Sequence, residues 1–364
     1  MKYLEEYRNL EATNQYLSLI ANKVTKPWNI MEICGGQTHS LVRNGILELL
    51  PKQVQMIHGP GCPVCVTPVS LIDKAIELLE KGVIVCSFGD MIRVPGTKKS
   101  LLEAKAEGAD LRVLYSPLEA VEVAKANPNR EVVFFAVGFE TTAPANALSV
   151  LHAEKEGLKN YSILVSHVLV PPAMEAILDD EFCNIDAFLG AGHVCAIMGY
   201  KEYMPISEKY KIPIVITGFE PLDLVQGIYM AVSQLEANEY TVENQYARVV
   251  KKEGNIAAKE VISKVFRVGD REWRGIGKIP NSGYLISEEY KAFDAGIKFQ
   301  IIENDNVLHT KCIAGEILKG LKKPYQCPAF GKECNPSNPL GAPMVSSEGA
   351  CAAYYHFSVD ENVL

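Results

Sequence analysis

The chain has 364 residues, 48% of them hydrophobic, and a formal net charge of −8. That length supports a sizeable core and two or three domains, while the acidic balance and scattered basic residues exclude a nucleic-acid partner and a polybasic membrane segment. The N-terminus, Met1 to Arg8, is charged throughout and lacks the apolar stretch of a signal peptide, and no apolar run approaches the roughly 20 residues of a membrane helix, so a cytoplasmic location is expected. Ten cysteines in such a reducing compartment point to metal or thiol chemistry rather than structural bridges.

In chain order, residues 1–26 read as an amphipathic helix with Leu10, Tyr16, Leu17 and Ile20 on one side, stopped by Pro27. Strand-like runs follow at Ile30–Ile33, Val54–Ile57, Val83–Phe88, Leu111–Tyr115, Val132–Val137, Ser162–Val165, Ala187–Leu189 and Pro213–Thr217. Helically spaced segments lie between most of them, and such alternation means parallel sheets covered by helices. Ser116-Pro117-Leu118-Glu119 reads as a capping box with proline at the first helical position, and Glu220-Pro221 opens a helix through Val225, Ile228 and Val232. The spacing suggests two successive strand sets with a break near residue 118, hence an α/β fold of two parallel-sheet domains, 27–118 and 119–236, facing across a cleft. Segments 1–26 and 237–364 supply the rest: a long charged helix over Thr241–Val265 and a tail rich in Gly, Pro and Cys, too poor in aliphatic residues for a core of its own.

The stretch His58-Gly59-Pro60-Gly61-Cys62-Pro63-Val64-Cys65 must be a tight loop, because its prolines and glycines disfavour regular structure. Thr67 as N-cap and Pro68 at the first helical position place the thiol pair just ahead of a helix N-terminus, where thiolate is favoured. Cys62 and Cys65 are therefore expected to be reactive, in a redox or metal-binding role. Cys34-Gly35-Gly36-Gln37-Thr38-His39 follows a strand and can bring a thiol and an imidazole to one point, a donor pair suited to iron. Further loops at strand ends carry Asp90, Glu140 with Thr141 and Thr142, His167 and His193, and strand ends line the crevice in folds of this kind. Cys86 and Cys183 lie in or beside apolar segments and read as packing residues. Cys312, Cys327, Cys334 and Cys351 are separated by gaps of 14, 6 and 16 residues, which suits an iron-sulfur cluster or a structural zinc equally. No Walker loop occurs, the Gly190-x-Gly192 segment lacks the third glycine of a dinucleotide fingerprint, and the cysteine triad of radical S-adenosylmethionine enzymes is missing.

Four segments together closely resemble the HypD family of nickel-iron hydrogenase maturation proteins, and the likeness runs essentially end to end. They are Met31–His39, Gly59–Cys65, Gly138–Pro144 and Met344–Tyr355. The resemblance implies two α/β domains across a cleft plus a small Cys-rich domain, formed by 1–26 with 237–364, that carries a 4Fe-4S cluster. It implies a complex with the small chaperone HypC, assembly of an Fe(CN)2(CO) unit as a transient iron with cyanide and carbonyl ligands, and cyanide donation by HypE with HypF. By motif, Cys34 is the expected iron-handling cysteine beside Gly35 and Gly36, Cys62 and Cys65 the redox-active pair, and Cys312, Cys327, Cys334 and Cys351 the cluster ligands. Family members often carry further cysteines near the positions of Ala314 and Pro343, where this chain has none. The leading expectation is thus an assembly scaffold with redox-active cysteines, in which the cluster passes electrons toward Cys62 and Cys65 and crevice residues stabilise cyanide and carbonyl. Its rival is a stand-alone disulfide reductase serving a diffusible thiol protein.

Overall fold

A computed structural model describes residues 6–301 and 311–358. Its strands are β1 (Trp28–Glu32), β2 (Val54–His58), β3 (Ile84–Ser87), β4 (Leu111–Val113), β5 (Val132–Gly138), β6 (Tyr161–His167), β7 (Ala187–Ala191), β8 (Ile214–Thr217), β9 (Val242–Asn244), β10 (Phe266–Trp273) and β11 (Gly277–Ile286). One parallel sheet runs β2-β1-β7-β8-β9 and a second runs β4-β3-β5-β6, while β10 and β11 form an antiparallel ribbon. The fold is α/β with parallel sheets, as the alternation requires. Every residue of β5 and β6 is buried, the mark of parallel strands covered by helices on both faces.

The strands do not divide near residue 118. β1 and β2 leave their sheet open for β7, β8 and β9, and the chain between them builds the whole second sheet. The reason is pairing: β1 takes β2 on one side and β7 on the other, so its apolar residues Ile30 and Met31 are enclosed only after the chain has returned from the second sheet.

The first helix, Leu10–Lys23, buries Leu17 and Ile20 against the five-stranded sheet and the helix Pro221–Ala237, in one apolar cluster with Trp28, Ile30 and Val225. It belongs with that sheet and not with the tail. Leu10, expected on the buried side, is exposed, because it sits at the first turn beyond the reach of the sheet. The continuous helix expected over Thr241–Val265 is instead strand β9, a turn, and the helix Ile256–Val265, capped by Asn255 accepting from Ala258 N at 3.1 Å. Val242 pairs with Ile214, so the open edge of the sheet overrides the local helical signal. Ser116 accepts from Leu118 N at 3.3 Å with Pro117 in the first turn, a simple cap rather than a box.

The tail segment from Cys312 shares its apolar cluster with Val42 of the helix Gly35–Arg43, while Ala342 and Val345 join the cluster of the second sheet. Its core is therefore borrowed from both halves of the molecule. Among the described residues no helix is long and apolar enough to cross a membrane.

Candidate thiol site

Cys34 follows β1 and is the N-cap of the helix Gly35–Arg43, in extended conformation. The loop after β2 closes over it: Gly35 N donates to Gly61 O at 2.8 Å, and a Cβ on Gly61 would lie 2.4 Å from the Cys34 backbone. Only glycine allows this approach, and it seats Cys62, the next residue, beside Cys34. On its other flanks the Cys34 turn meets Phe219 after β8, whose ring lies 3.2 Å from where a Gly36 Cβ would be, and Glu348 of the tail, packed onto Gly35. Burial, then the nearby Glu348 carboxylate, push the Cys34 thiol up to about 12. Near neutral pH it is therefore a protonated thiol.

Beneath Cys34 lies a buried chain of polar groups. Glu32 Oε1 accepts from the Thr38 hydroxyl and stands 2.7 Å from His58 Nδ1, Glu32 Oε2 accepts from Cys34 N at 3.2 Å, and His58 Nε2 is 2.9 Å from the Tyr354 hydroxyl. Burial holds the Glu32 carboxyl well above the usual carboxylate range and the His58 imidazole well below its own, so the pair is neutral. Lys323 donates to Met56 O nearby and is itself brought down to about 8 by burial. The chain joins β1, β2 and the C-terminal helix Ala350–Phe357 at one point. Neither Glu32, His58, Lys323 nor Tyr354 was singled out from the sequence. A glutamate at the end of the apolar run Trp28–Ile33 was the available signal, since a carboxyl there must be buried and bonded.

Cys62 and Cys65 form a disulfide with Cα atoms 5.2 Å apart, and they are only 3% and 1% exposed. In this structure the pair stands in its oxidised form. Pro63 starts a separate turn, Pro63–Val66, with Cys62 as its cap accepting from Cys65 N. Thr67 caps no helix start; its hydroxyl donates to Pro63 O at 2.9 Å, and Pro68 is the N-cap of the helix Val69–Glu80.

The remaining strand-end residues separate into two groups. His193 after β7 stacks on Phe219 at 3.7 Å, and so reaches the Cys34 turn through that ring. His39 Nδ1 is 3.0 Å from Ser347 O and its ring packs on Phe357, while Asp90 Oδ2 accepts from Ser346 at 2.9 Å, so both hold the tail motif against the site. Glu140 is buried, accepts from Val170 N at 2.9 Å through Oε1 and leaves Oε2 unbonded. Burial lifts it to about 8. Cys195 and Tyr203, both buried, lie within electrostatic reach of Glu140, and Cys195 also within that of Cys34. By contrast His167 has both nitrogens engaged, with Asn146 Nδ2 at 2.6 Å and Phe139 O at 3.2 Å, and burial lowers it to about 3. Such an imidazole supports the fold and has no free nitrogen for substrate. Thr142 caps the helix Ala143–Lys155 and donates to Phe139 O at 3.3 Å, with Thr141 half-buried beside it. Cys86 is fully buried in β3.

In the tail, Cys312, Cys327, Cys334 and Cys351 line one small cavity whose other walls include Ile317, Phe330, Leu340 and Met344. Among the described residues no three side chains of the His, Cys, Asp or Glu types already stand at ligating positions. The donor set nonetheless fits a soft-metal centre: each of the other three thiols raises the proton affinity of Cys351, which places four thiols within electrostatic reach of each other and of no competing side-chain donor in the cavity.

Fold and site together define an α/β protein that gathers a thiol, a disulfide, imidazoles and buried carboxyl groups at the ends of its parallel strands. Residues 11–358 match the family model HypD, described as the Hydrogenase formation hypA family. Hydrogenase maturation factor HypD of Azotobacter vinelandii is 46% identical over 98% of this chain and 97% of its own length, and that of Escherichia coli (strain K12) is 44% identical over the whole of both. Hydrogenase maturation factor HypD2 of Bradyrhizobium diazoefficiens is 46% identical over 98% of this chain and 97% of its own. The chain belongs to the HypD family of hydrogenase maturation factors.

Proposed function

We propose that this chain is the scaffold on which the Fe(CN)2(CO) unit of nickel-iron hydrogenase is assembled, together with a HypC-type chaperone and with cyanide supplied by a HypE-type donor served by HypF. The observation that carries the reading is the seat of Cys34. Cys34 is the N-cap residue of the helix Gly35–Arg43 at the end of β1, is half-buried as a residue, and is enclosed by backbone from the Gly61 loop, by Phe219 and by Glu348. Thiolate is a strong donor to low-spin iron, and the iron unit is the cargo of this site. His193, stacked on Phe219, supplies a polar group beside it for cyanide and carbonyl ligands. The tail cysteines Cys312, Cys327, Cys334 and Cys351 would hold a 4Fe-4S cluster, which supplies one-electron chemistry when bound. Cys62 and Cys65, already joined, are the chain's own two-electron store beside Cys34.

A stand-alone disulfide reductase must offer its cysteine pair to a second protein, and a pair 3% and 1% exposed does not meet that need. The test is Cys34→Ser co-expressed with HypC. The expected outcome is loss of the cyanide and carbonyl infrared bands from the complex with unchanged far-ultraviolet dichroism. Retained bands would assign the iron to another ligand and end this reading.

A further inference from the structure

Gly36 has no side chain, and the point where its Cβ would stand is shared by two other groups: the Phe219 ring comes within 3.2 Å of it and Cys34 Sγ within 3.9 Å. Ring and sulfur therefore flank one narrow gap, in which a single methyl group would already press on the ring. Gly36 and Phe219 also line an open cavity of about 510 Å³, with Arg8, His39, Arg43 and Glu220 among its other walls. A cavity of that size takes a drug-sized molecule, so the restriction on what comes to Cys34 from this side lies at the ring.

The ring is held from several directions. Gly218 N donates to Gln245 Oε1 at 3.2 Å and Glu220 N to Asp223 Oδ2 at 3.3 Å, so the residues on both sides of Phe219 are fixed through their backbone. Asp223 is buried and accepts two bonds from Arg248, at 2.7 and 2.6 Å, and one from Gln245 Nε2 at 2.8 Å, while Arg8 donates twice to Glu220, at 2.6 and 3.0 Å. The His193 ring lies on Phe219 with centroids 3.7 Å apart. A wall tied down in this way does not yield cheaply, and such a wall discriminates by size.

We propose that Phe219 is the specificity-determining residue of the Cys34 seat: it narrows the way from the cavity to the sulfur so that ligands of a few atoms pass and larger ones do not. Cyanide and carbonyl, each of two atoms, belong to the class admitted. The proposal rests on the reading that Cys34 is the working thiol of the site.

The experiment uses the full chain and two maleimides of one chemistry and different bulk, N-methylmaleimide and N-pyrenylmaleimide, with the rate at each cysteine read by peptide mass spectrometry. The ratio of the two rates cancels any change in thiol ionisation, because both reagents consume thiolate. Cys183, half-buried in the segment before β7, is the internal control. A missing group in a packed pocket changes discrimination by about tenfold or more, so Phe219→Ala is expected to raise the pyrenyl-to-methyl ratio at Cys34 about tenfold with Cys183 unchanged. Phe219→Tyr, which keeps the ring, should match the unmodified chain, and Phe219→Leu should lie between. An unchanged ratio at Cys34 in both Phe219→Ala and Phe219→Leu would overturn the proposal. An equal rise at Cys34 and Cys183 would overturn it too, since the fold as a whole would then have loosened. Alkylation reads the approach to the sulfur without iron, so a failure of the iron reading, seen as retained infrared bands in Cys34→Ser, leaves this comparison standing.

Discussion

Glu140 shows how far one side chain departs from what its type suggests. Its neighbours after β5 place it in the interior with one oxygen unbonded, and burial raises its carboxyl from 4.5 to about 8. A group whose folded value lies above its unfolded value binds more protons when folded. Its contribution is therefore complete below about pH 4.5 and is lost as pH rises through about 8. Glu140→Gln mimics the neutral form and should remove this loss, so urea midpoints of the variant and the unmodified chain should diverge between pH 5 and 8, by up to about 1.4 kcal/mol per pH unit. Parallel curves would mean that Glu140 is ionised in the folded protein. His167 has the opposite sign: lowered from 6.5 to about 3, it contributes stability that is present above pH 6.5 and lost as the pH falls through about 3.

Among the elements, the loop from His58 to Cys62 decides the geometry of the thiol site. Its contact with the Cys34 turn is backbone on backbone, with no flexible side chain able to yield. Gly61→Ala should therefore destabilise the chain by about 1–3 kcal/mol or more in urea unfolding, and it should change the alkylation rate of Cys34 in the folded protein. Gly89→Ala is the matched control: its Cβ would meet only Val113 Cγ1 at 3.7 Å, an ordinary contact, and a change within about 0.5 kcal/mol is expected. An equal loss for both substitutions would show that the Gly61 approach carries no special constraint. The Glu32–His58–Tyr354 chain works across elements in a similar way, since it fastens the C-terminal helix to the ends of β1 and β2.

For the whole molecule, the interleaved sheets set how it must fold. β1 needs β7, and β3 needs β5, so no stretch ending near residue 118 holds a complete sheet. A fragment of residues 1–118 leaves Ile30, Met31, Ile84 and Val85 without their neighbours, although all are buried in the intact chain. It should show no cooperative thermal transition by circular dichroism and should associate on gel filtration. A sharp, reversible transition with a monomeric fragment would contradict this account of the fold. The tail depends on the rest in the same sense, since Val42, from the helix after Cys34, sits among its apolar residues.

Local chemistry was readable in the residues alone. The alternating apolar runs specify parallel strands and covering helices, because burial on both faces demands them, and the Gly-Pro-Cys spacing specifies tight loops that bring thiols to strand ends. The four tail cysteines stand out in the sequence as the cysteines of that segment, and in the structure they line one cavity. Sheet membership was not readable, because parallel pairing depends on which distant strand supplies hydrogen bonds to β1, and nothing in the run Trp28–Glu32 names β7 as that neighbour. Nor were the fates of single polar groups. Glu32 and Arg274 look like ordinary charged residues in the chain. Only the packing of β2, the tail and the disulfide turn around them removes water, and that desolvation makes Glu32 part of a neutral buried pair and leaves Arg274 with a buried nitrogen that has no hydrogen-bond partner.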